Sequence, residues 1–197
     1  MKAEKIMLFD GTSLENWKTR GSGTVPNWKI EDGICTVGNG DIISDYTFGD
    51  AQLHVEFRIP DMPEATGQGK GNSGVYVHGC YEVQVLDSYG IDPPLNNDCS
   101  GIYQMHAPLF NACLPALEWQ TYDIILRAPK FNKHGEIAEN GRMTVIQNGI
   151  VVHNNVELYS VTPGGITGDK RVATGPLMLQ DHGNAVSYRN IWVIPLS

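Results

Sequence analysis

Residues 71–90 read GNSGVYVHGCYEVQVLDSYG and set Glu82, Gln84 and Asp87 close together. Two carboxylates beside an amide can share the tasks of proton donor, proton acceptor and hydroxyl-holder. Strand alternation places Glu82, Gln84 and Leu86 on one face, and Tyr81, Val83, Val85 and Asp87 on the other. The valines mark the second face as the core side, so Glu82 and Gln84 are expected on the open face. Asp87 has the wrong parity; a β-bulge near Leu86 would swing it round to join them. The plain alternative is the solvated face of an antiparallel sheet.

Other segments offer groups of the same kind. Upstream, Tyr76 and His78 share a face opposite Val75 and Val77. In PLMLQDHG, Gln180 and His182 share a face opposite Leu177 and Leu179, and SYRN adds Arg189. Solvated sheet faces favour lysine, and none occurs in these segments. Glu82, Asp87 and His182 are therefore the catalytic candidates. Gln84, Tyr76, His78, Gln180, Arg189 and Tyr89 are the candidates for holding substrate. Asp181 adjoins His182, but strand neighbours point apart, so it is not expected to orient the imidazole. His54, His106, His134 and His153 have no comparable setting. Tyr76, Tyr89, Tyr103, Trp119 and Tyr122 fall in or beside the groove segments, where aromatic faces can stack on the C–H faces of sugars. Trp17, Trp28 and Trp192 read as core. There is no Ser-His-Asp order, phosphate-binding glycine loop or H-E-x-x-H motif. Acidic and histidine groups could hold a divalent cation, although no spacing demands one.

The elements that must position these groups are strands. AQLHVEFRIP alternates Leu53, Val55, Phe57 and Ile59 against Gln52, His54, Glu56 and Arg58, and Pro60 ends the run. EWQTYDIILRAP sets Tyr122, Ile124 and Leu126 against Trp119, Thr121, Asp123, Ile125 and Arg127. Asn148-Gly149 between two apolar runs is the preferred chemistry of a type I′ hairpin. KIMLFDG, NWKIEDG, GICTVG and GDIISD read as short strands, PLMLQDHG and AVSYRNIWVIPL as the last two. This spacing, roughly a dozen strands, fits a sandwich or barrel. No amphipathic helix longer than about two turns is found. The glycine-rich DMPEATGQGKGNSG reads as a rim loop over a site. The long irregular DPPLNNDCSGIYQMHAPLFNACLPALE is also a candidate for function. The expected fold is all-β: a two-sheet jelly-roll sandwich whose one open face forms a groove.

Composition bounds the rest. The 197 residues show no break between halves, so residues 1–197 are read as a single domain. A net charge of −8 with no basic run argues against nucleic acid as partner. No apolar run is long enough for a membrane span. MKAEKIMLFDG lacks a signal-peptide core, which is expected of a cytoplasmic chain or of a mature one. Cys35, Cys80, Cys99 and Cys113 form no C-x-x-C pair. Free thiols are the expectation, with a Cys99–Cys113 bridge as the alternative.

LFDGTSLENW, GNSGVYVHGCYEVQVLDSYG, GIYQMHAP, EWQTYDI, VIQNGIVVHNN, TGPLMLQDHG and VSYRNIWVIPL together resemble the 3-keto-disaccharide hydrolase family. YEVQVLDS and LQDHG…YRNIW are the most specific pieces. His78 stands where the family more often has a basic residue such as arginine. The resemblance implies a concanavalin-like jelly roll, action on sugars oxidised at C3, and a periplasmic or cell-surface location. In that chemistry a base removes the C2 proton, an enolate forms, the C1–O bond breaks, and water adds back. His182 or Glu82 would be the base, with Asp87 as its partner or as the acid. Arg189, Gln84 and Gln180 would hold the sugar, and a divalent cation on the enolate oxygen is one option. Two other readings stay open. A retaining endo-glucanase-like glycosidase would need two carboxyls about 5–5.5 Å apart, and Glu82 and Asp87 have only part of its E-x-D-x-x-E pattern. A non-catalytic carbohydrate-binding module would need only the aromatics and amides.

Overall fold

A computed structural model describes residues 4–196; residues 1–3, the start of the N-terminal segment read above, and residue 197 lie outside it. Fifteen strands follow one another: β1 (Ile6–Phe9), β2 (Trp17–Thr19), β3 (Lys29–Glu31), β4 (Ile34–Thr36), β5 (Ile42–Phe48), β6 (Ala51–Arg58), β7 (Ser73–Val77), β8 (Tyr81–Val85), β9 (Trp119–Arg127), β10 (Lys130–Phe131), β11 (Ile137–Glu139), β12 (Gly141–Gln147), β13 (Ile150–Leu158), β14 (Gly175–Leu179) and β15 (Ser187–Pro195). Among the described residues the one helical element is a short 3₁₀ turn, Gly67–Gly69. The fold is a jelly-roll sandwich. Its eight-stranded sheet runs β13-β12-β9-β6-β15-β4-β3, with β1 also pairing β15. Its five-stranded sheet runs β2-β5-β14-β7-β8, and β10 and β11 form a separate ribbon.

Alternation decides which side chains lie between the sheets. Leu53, Val55 and Phe57 on β6 and Tyr122, Ile124 and Leu126 on β9 are fully buried. They meet Val75, Val77, Val83, Val85, Leu177 and Leu179 of the smaller sheet in one apolar cluster. The β12–β13 hairpin turns at Asn148 and Gly149, whose φ values of 52° and 80° are the positive pair a type I′ turn requires. Trp17 and Trp28 are buried. Trp192 departs from expectation: it lies on the outer face of the larger sheet, stacked on His54 at 5.0 Å. All four cysteines are buried free thiols.

Two loops close over the outer face of the smaller sheet. Residues 92–118 lie against β8, the last strand of that sheet. Tyr103 N–H donates to the Glu82 carbonyl at 3.1 Å, Gln84 N–H to the Gly101 carbonyl at 2.9 Å, and Ser100 N–H to the Gln84 carbonyl at 2.9 Å. Tyr122 reaches from the core to donate to the same Gln84 carbonyl at 2.6 Å. The turn bearing Thr162 sits at the start of β8, where Glu82 N–H donates to Thr162 Oγ1 at 2.9 Å. The free edge of β8 is thereby occupied at both ends.

Candidate active site

Glu82 and Gln84 project from β8 to the outer face, as their parity requires. On neighbouring β7, Tyr76 stands directly opposite Glu82 and Gly74 opposite Gln84. Just beyond β14, Gln180 continues the same face, its N–H bonded to the Gly74 carbonyl at 3.0 Å. These residues floor a cleft of about 180 Å³, which Gln68, Asn72, Tyr103, Pro163, Gly164 and His182 complete. Gly74 leaves the room that the Glu82 carboxyl occupies, since a methyl there would collide with Glu82 Oε1 and lie 2.9 Å from the Tyr76 ring.

Glu82 is 3% exposed. Burial pushes its pKa up to about 8; the hydrogen bond that Tyr76 can donate to the ionised carboxylate opposes the rise, and the nearby Asp41 charge adds to it. The carboxyl is therefore protonated at neutral pH. The hydrogen bonds agree with this. Tyr76 Oη lies 2.9 Å from Glu82 Oε2 and also 2.9 Å from the Pro163 carbonyl. Tyr76 has one proton, and a carbonyl can only accept it. With Tyr76 donating to Pro163, Glu82 completes the set by donating to Tyr76. Gln180 Nε2 donates to the same hydroxyl at 3.2 Å. The Gln84 amide, oriented to suit its neighbours, donates to the Ser73 carbonyl at 2.9 Å and to Glu82 Oε1 at 3.2 Å.

Asn72 Oδ1 and Gln180 Oε1 are buried in the cleft wall and accept no hydrogen bond from the protein. A buried acceptor left unmade costs about 1–3 kcal/mol. His182 is exposed at the rim. Its neighbour Asp181 is committed elsewhere, accepting from Gly40 N–H and Gly183 N–H, both at 2.8 Å.

Tyr76, Glu82, Gln84, Gln180 and His182 thus share one cleft, and the other four expected residues lie apart. Asp87 follows the end of β8, and the β7–β8 ladder runs without a register shift, so no bulge turns it inward. Its carboxylate pairs with Lys70 Nζ at 3.0 Å. His78 lies past the end of β7, in the turn, with a φ of 55°. It is buried against Phe48, 5.2 Å between rings, with Nε2 at 3.1 Å from the Gly49 carbonyl. Arg189 occupies the outer face of the larger sheet, bonded to Glu56 at 2.6 Å and placed 3.9 Å over Trp119. Tyr89 is 60% exposed and lines a different depression with Leu109 and Phe110. Of the aromatics, Trp119 goes with Arg189, and Tyr122 lies in the core beneath the floor. Gln68, Asn72, Pro163 and Gly164 were not among the expected site residues; only the glycine-rich composition of 61–74 pointed toward a rim there.

The groups around the cleft, one carboxyl, one imidazole and neutral amides, do not make a divalent-cation set. Among the described residues no three His, Cys, Asp or Glu side chains gather as ligands.

The fold and the cleft define a jelly-roll sandwich with a polar pocket, of the kind found among glycosyl hydrolases and carbohydrate-binding modules. The chain belongs to the family of 3-keto-alpha-glucoside-1,2-lyase-like domains, whose model matches residues 4–194. A crystal structure from Parabacteroides distasonis ATCC 8503, named provisionally as a glycosyl hydrolase, is similar with a TM-score of 0.89 at 38% identity, covering 98% of this chain and 84% of that one. A second provisional glycosyl hydrolase from that organism gives a TM-score of 0.69 at 22% identity over 98% and 94% of the two chains. The carbohydrate-binding module CBM66 from Bacillus subtilis shares the fold, with a TM-score of 0.52 at 11% identity over 90% and 94%. No curated protein matches the chain.

Proposed function

We propose that the cleft binds the ring of a 3-keto-glycoside and cleaves its glycosidic bond by elimination. The observation that carries this reading is a buried Glu82 carboxyl in one small cleft with His182. His182 is the base that takes the C2 proton, which the C3 ketone has acidified. The C–H electron pair forms the C1=C2 bond and the C1–O bond breaks. Glu82 gives its proton to the departing oxygen. Water then adds at C1, and a proton returns to C2. Gln84 holds the Glu82 carboxyl in place. The family description supports this assignment of chemistry. The cleft is smaller than the ~300–1,000 Å³ of sites that enclose drug-sized ligands. It suits one sugar ring with the leaving group outside. The retaining-glycosidase alternative is weakened because Glu82 is the cleft's one carboxyl, while Asp87 is held on Lys70.

The test is turnover of a 3-keto-glucoside beside the plain glucoside, with deuterium at C2. Release of the leaving group from the keto-sugar alone, with the label lost to solvent, is the expected result. Cleavage of the plain glucoside, or retention of the label, would sink the reading. A second variant checks the placement of the sugar. Arg189→Ala is expected to leave KM within about twofold of the parent, because distant sites act independently. It should cost about 1 kcal/mol of stability through the lost Trp119 and Glu56 contacts, as thermal unfolding would show.

A further inference from the structure

We propose that Arg20, with Asp41 and Asp181, is a positioning network that holds the two rim segments bearing Gly164 and His182 in register across the cleft. The catalytic part of this inference rests on the function proposed above. Arg20 follows the end of β2, where its N–H donates to the Asp41 carbonyl at 2.8 Å. Its guanidinium forks among three partners. Nη1 donates to Asp41 Oδ2 at 3.0 Å and to the Gly164 carbonyl at 2.6 Å, and Nη2 donates to the Gly165 carbonyl at 3.0 Å. Asp41 faces the other way as well. Its Oδ1 accepts from Asp181 N–H at 2.9 Å, and Asp181 Oδ2 accepts from Gly40 N–H at 2.8 Å. The turn that carries His182 is thus bound reciprocally to residues 40–41, and they in turn are bound through Arg20 to residues 164–165.

Each segment so held touches the reacting groups. Pro163 supplies the carbonyl that takes the Tyr76 proton, and Gly164 packs so closely on the Tyr76 hydroxyl that a Cβ there would lie 2.9 Å from it. His182 is the residue after Asp181. β14 ends at Leu179 and residues 162–174 contain no strand; the 162–166 turn is tied to residues 79–82 at its two ends, where Thr162 N–H donates to the Cys80 carbonyl at 2.9 Å and Ile166 N–H to the Gly79 carbonyl at 2.8 Å, and Arg20 holds the two glycines between them. Arg20 is suited to this because its planar fork serves two carbonyls and a carboxylate together, which a lysine cannot.

Asp41 adds an electrostatic role. The titratable groups around Glu82 are Tyr76 from β7, Tyr103 from the 92–118 segment, His182 from the turn after β14, and Asp41 from just before β5. Asp41 is negative and favours the protonated form of Glu82.

The experiment compares Arg20→Ala, Arg20→Lys and Asp41→Asn with the parent. Arg20→Ala is expected to lower kcat on the 3-keto-glucoside about 100-fold, since a misplacement on the order of 1 Å costs that much. The effect on thermal unfolding should be small, because the pair is partly exposed. Arg20→Lys keeps the charge but not the fork, and should recover only part of the loss. Asp41→Asn keeps the acceptor for Asp181 N–H and should move the alkaline limb of the pH–rate profile to lower pH. Amide hydrogen exchange over 162–166 and 181–184 should quicken in Arg20→Ala while that of 120–127 is unchanged. Full activity and unchanged exchange in Arg20→Ala would overturn the network, as would complete recovery by lysine. Should the parent protein fail to turn over the keto-sugar, the proposed function falls, and the exchange measurement still decides whether the network holds the rim.

Discussion

Replacing Glu82 by glutamine is expected to lower kcat/KM on a 3-keto-glycoside by about 10²–10⁴-fold while making the protein more stable at neutral pH. The rate effect follows from the missing proton: an amide fills the place of a protonated carboxyl but cannot protonate the departing oxygen. The stability effect follows from linkage. The folded-state pKa of Glu82 is raised from 4.5 to about 8, so the folded protein binds this proton more tightly than the unfolded chain does. The contribution is fully present below pH about 4.5 and is lost as pH rises through about 8. Glutamine does not ionise and escapes the loss. The advantage of Glu82→Gln should therefore be absent near pH 4 and grow toward pH 8, reaching a few kcal/mol, or several degrees in Tm. Thermal melts at a series of pH values measure it. In the parent enzyme the same titration should produce an alkaline limb in kcat/KM near pH 8, as the acid form disappears. An activity that holds constant from pH 6 to 9, or a variant no more stable than the parent at pH 7, would remove Glu82 from the role of acid.

Gly74→Ala should be nearly as damaging, from a single methyl group. Gly74 pairs with Gln84 across the β7–β8 ladder and does not have the positive φ that would strain an alanine. The backbone accepts the change, so any effect belongs to the added carbon. That carbon collides with Glu82 Oε1 and comes within 2.9 Å of Tyr76 Cε2. Overpacking of this kind costs about 1–3 kcal/mol. Displacing the carboxyl by about 1 Å should cost about 100-fold in kcat/KM. Melting and turnover measured on the same preparation separate the two effects. A fully active Gly74→Ala would mean that the carboxyl does not need the position it occupies here.

Residue types and alternation made much of this readable in advance. The alternating run from Ala51 to Arg58, the long strand from Trp119 and the Asn148-Gly149 turn all carry local signals, and the observed strands follow them. Glu82, Gln84 and Tyr76 were legible for the same reason, since their strands keep strict parity. Parity has no meaning once a strand stops. Asp87 lies two residues beyond Val85 and His78 one beyond Val77, and both take directions set by turns. Arg189 was misplaced because a polar residue on an alternating strand can face either outer surface of a sandwich. Only the pairing of β15 with β6 in the larger sheet tells which. The rim was the least readable part. Arg20 meets Gly164 across 144 positions, and Asp181 meets Asp41 across 140. No local pattern encodes contacts of that span.

The placement of β8 at the end of its sheet has a consequence for behaviour in concentrated solution. A terminal strand reading YEVQV is rich in valine, short of charge and straight, the kind of edge to which a second chain can add. In this molecule its free amides and carbonyls are already engaged, by residues 100–103 and, at Glu82 N–H, by Thr162. The segment that roofs the cleft is therefore also a guard against self-association. Loosening it to admit a larger sugar would uncover an adhesive strand, which ties the breadth of substrate this scaffold can accept to its resistance to aggregation.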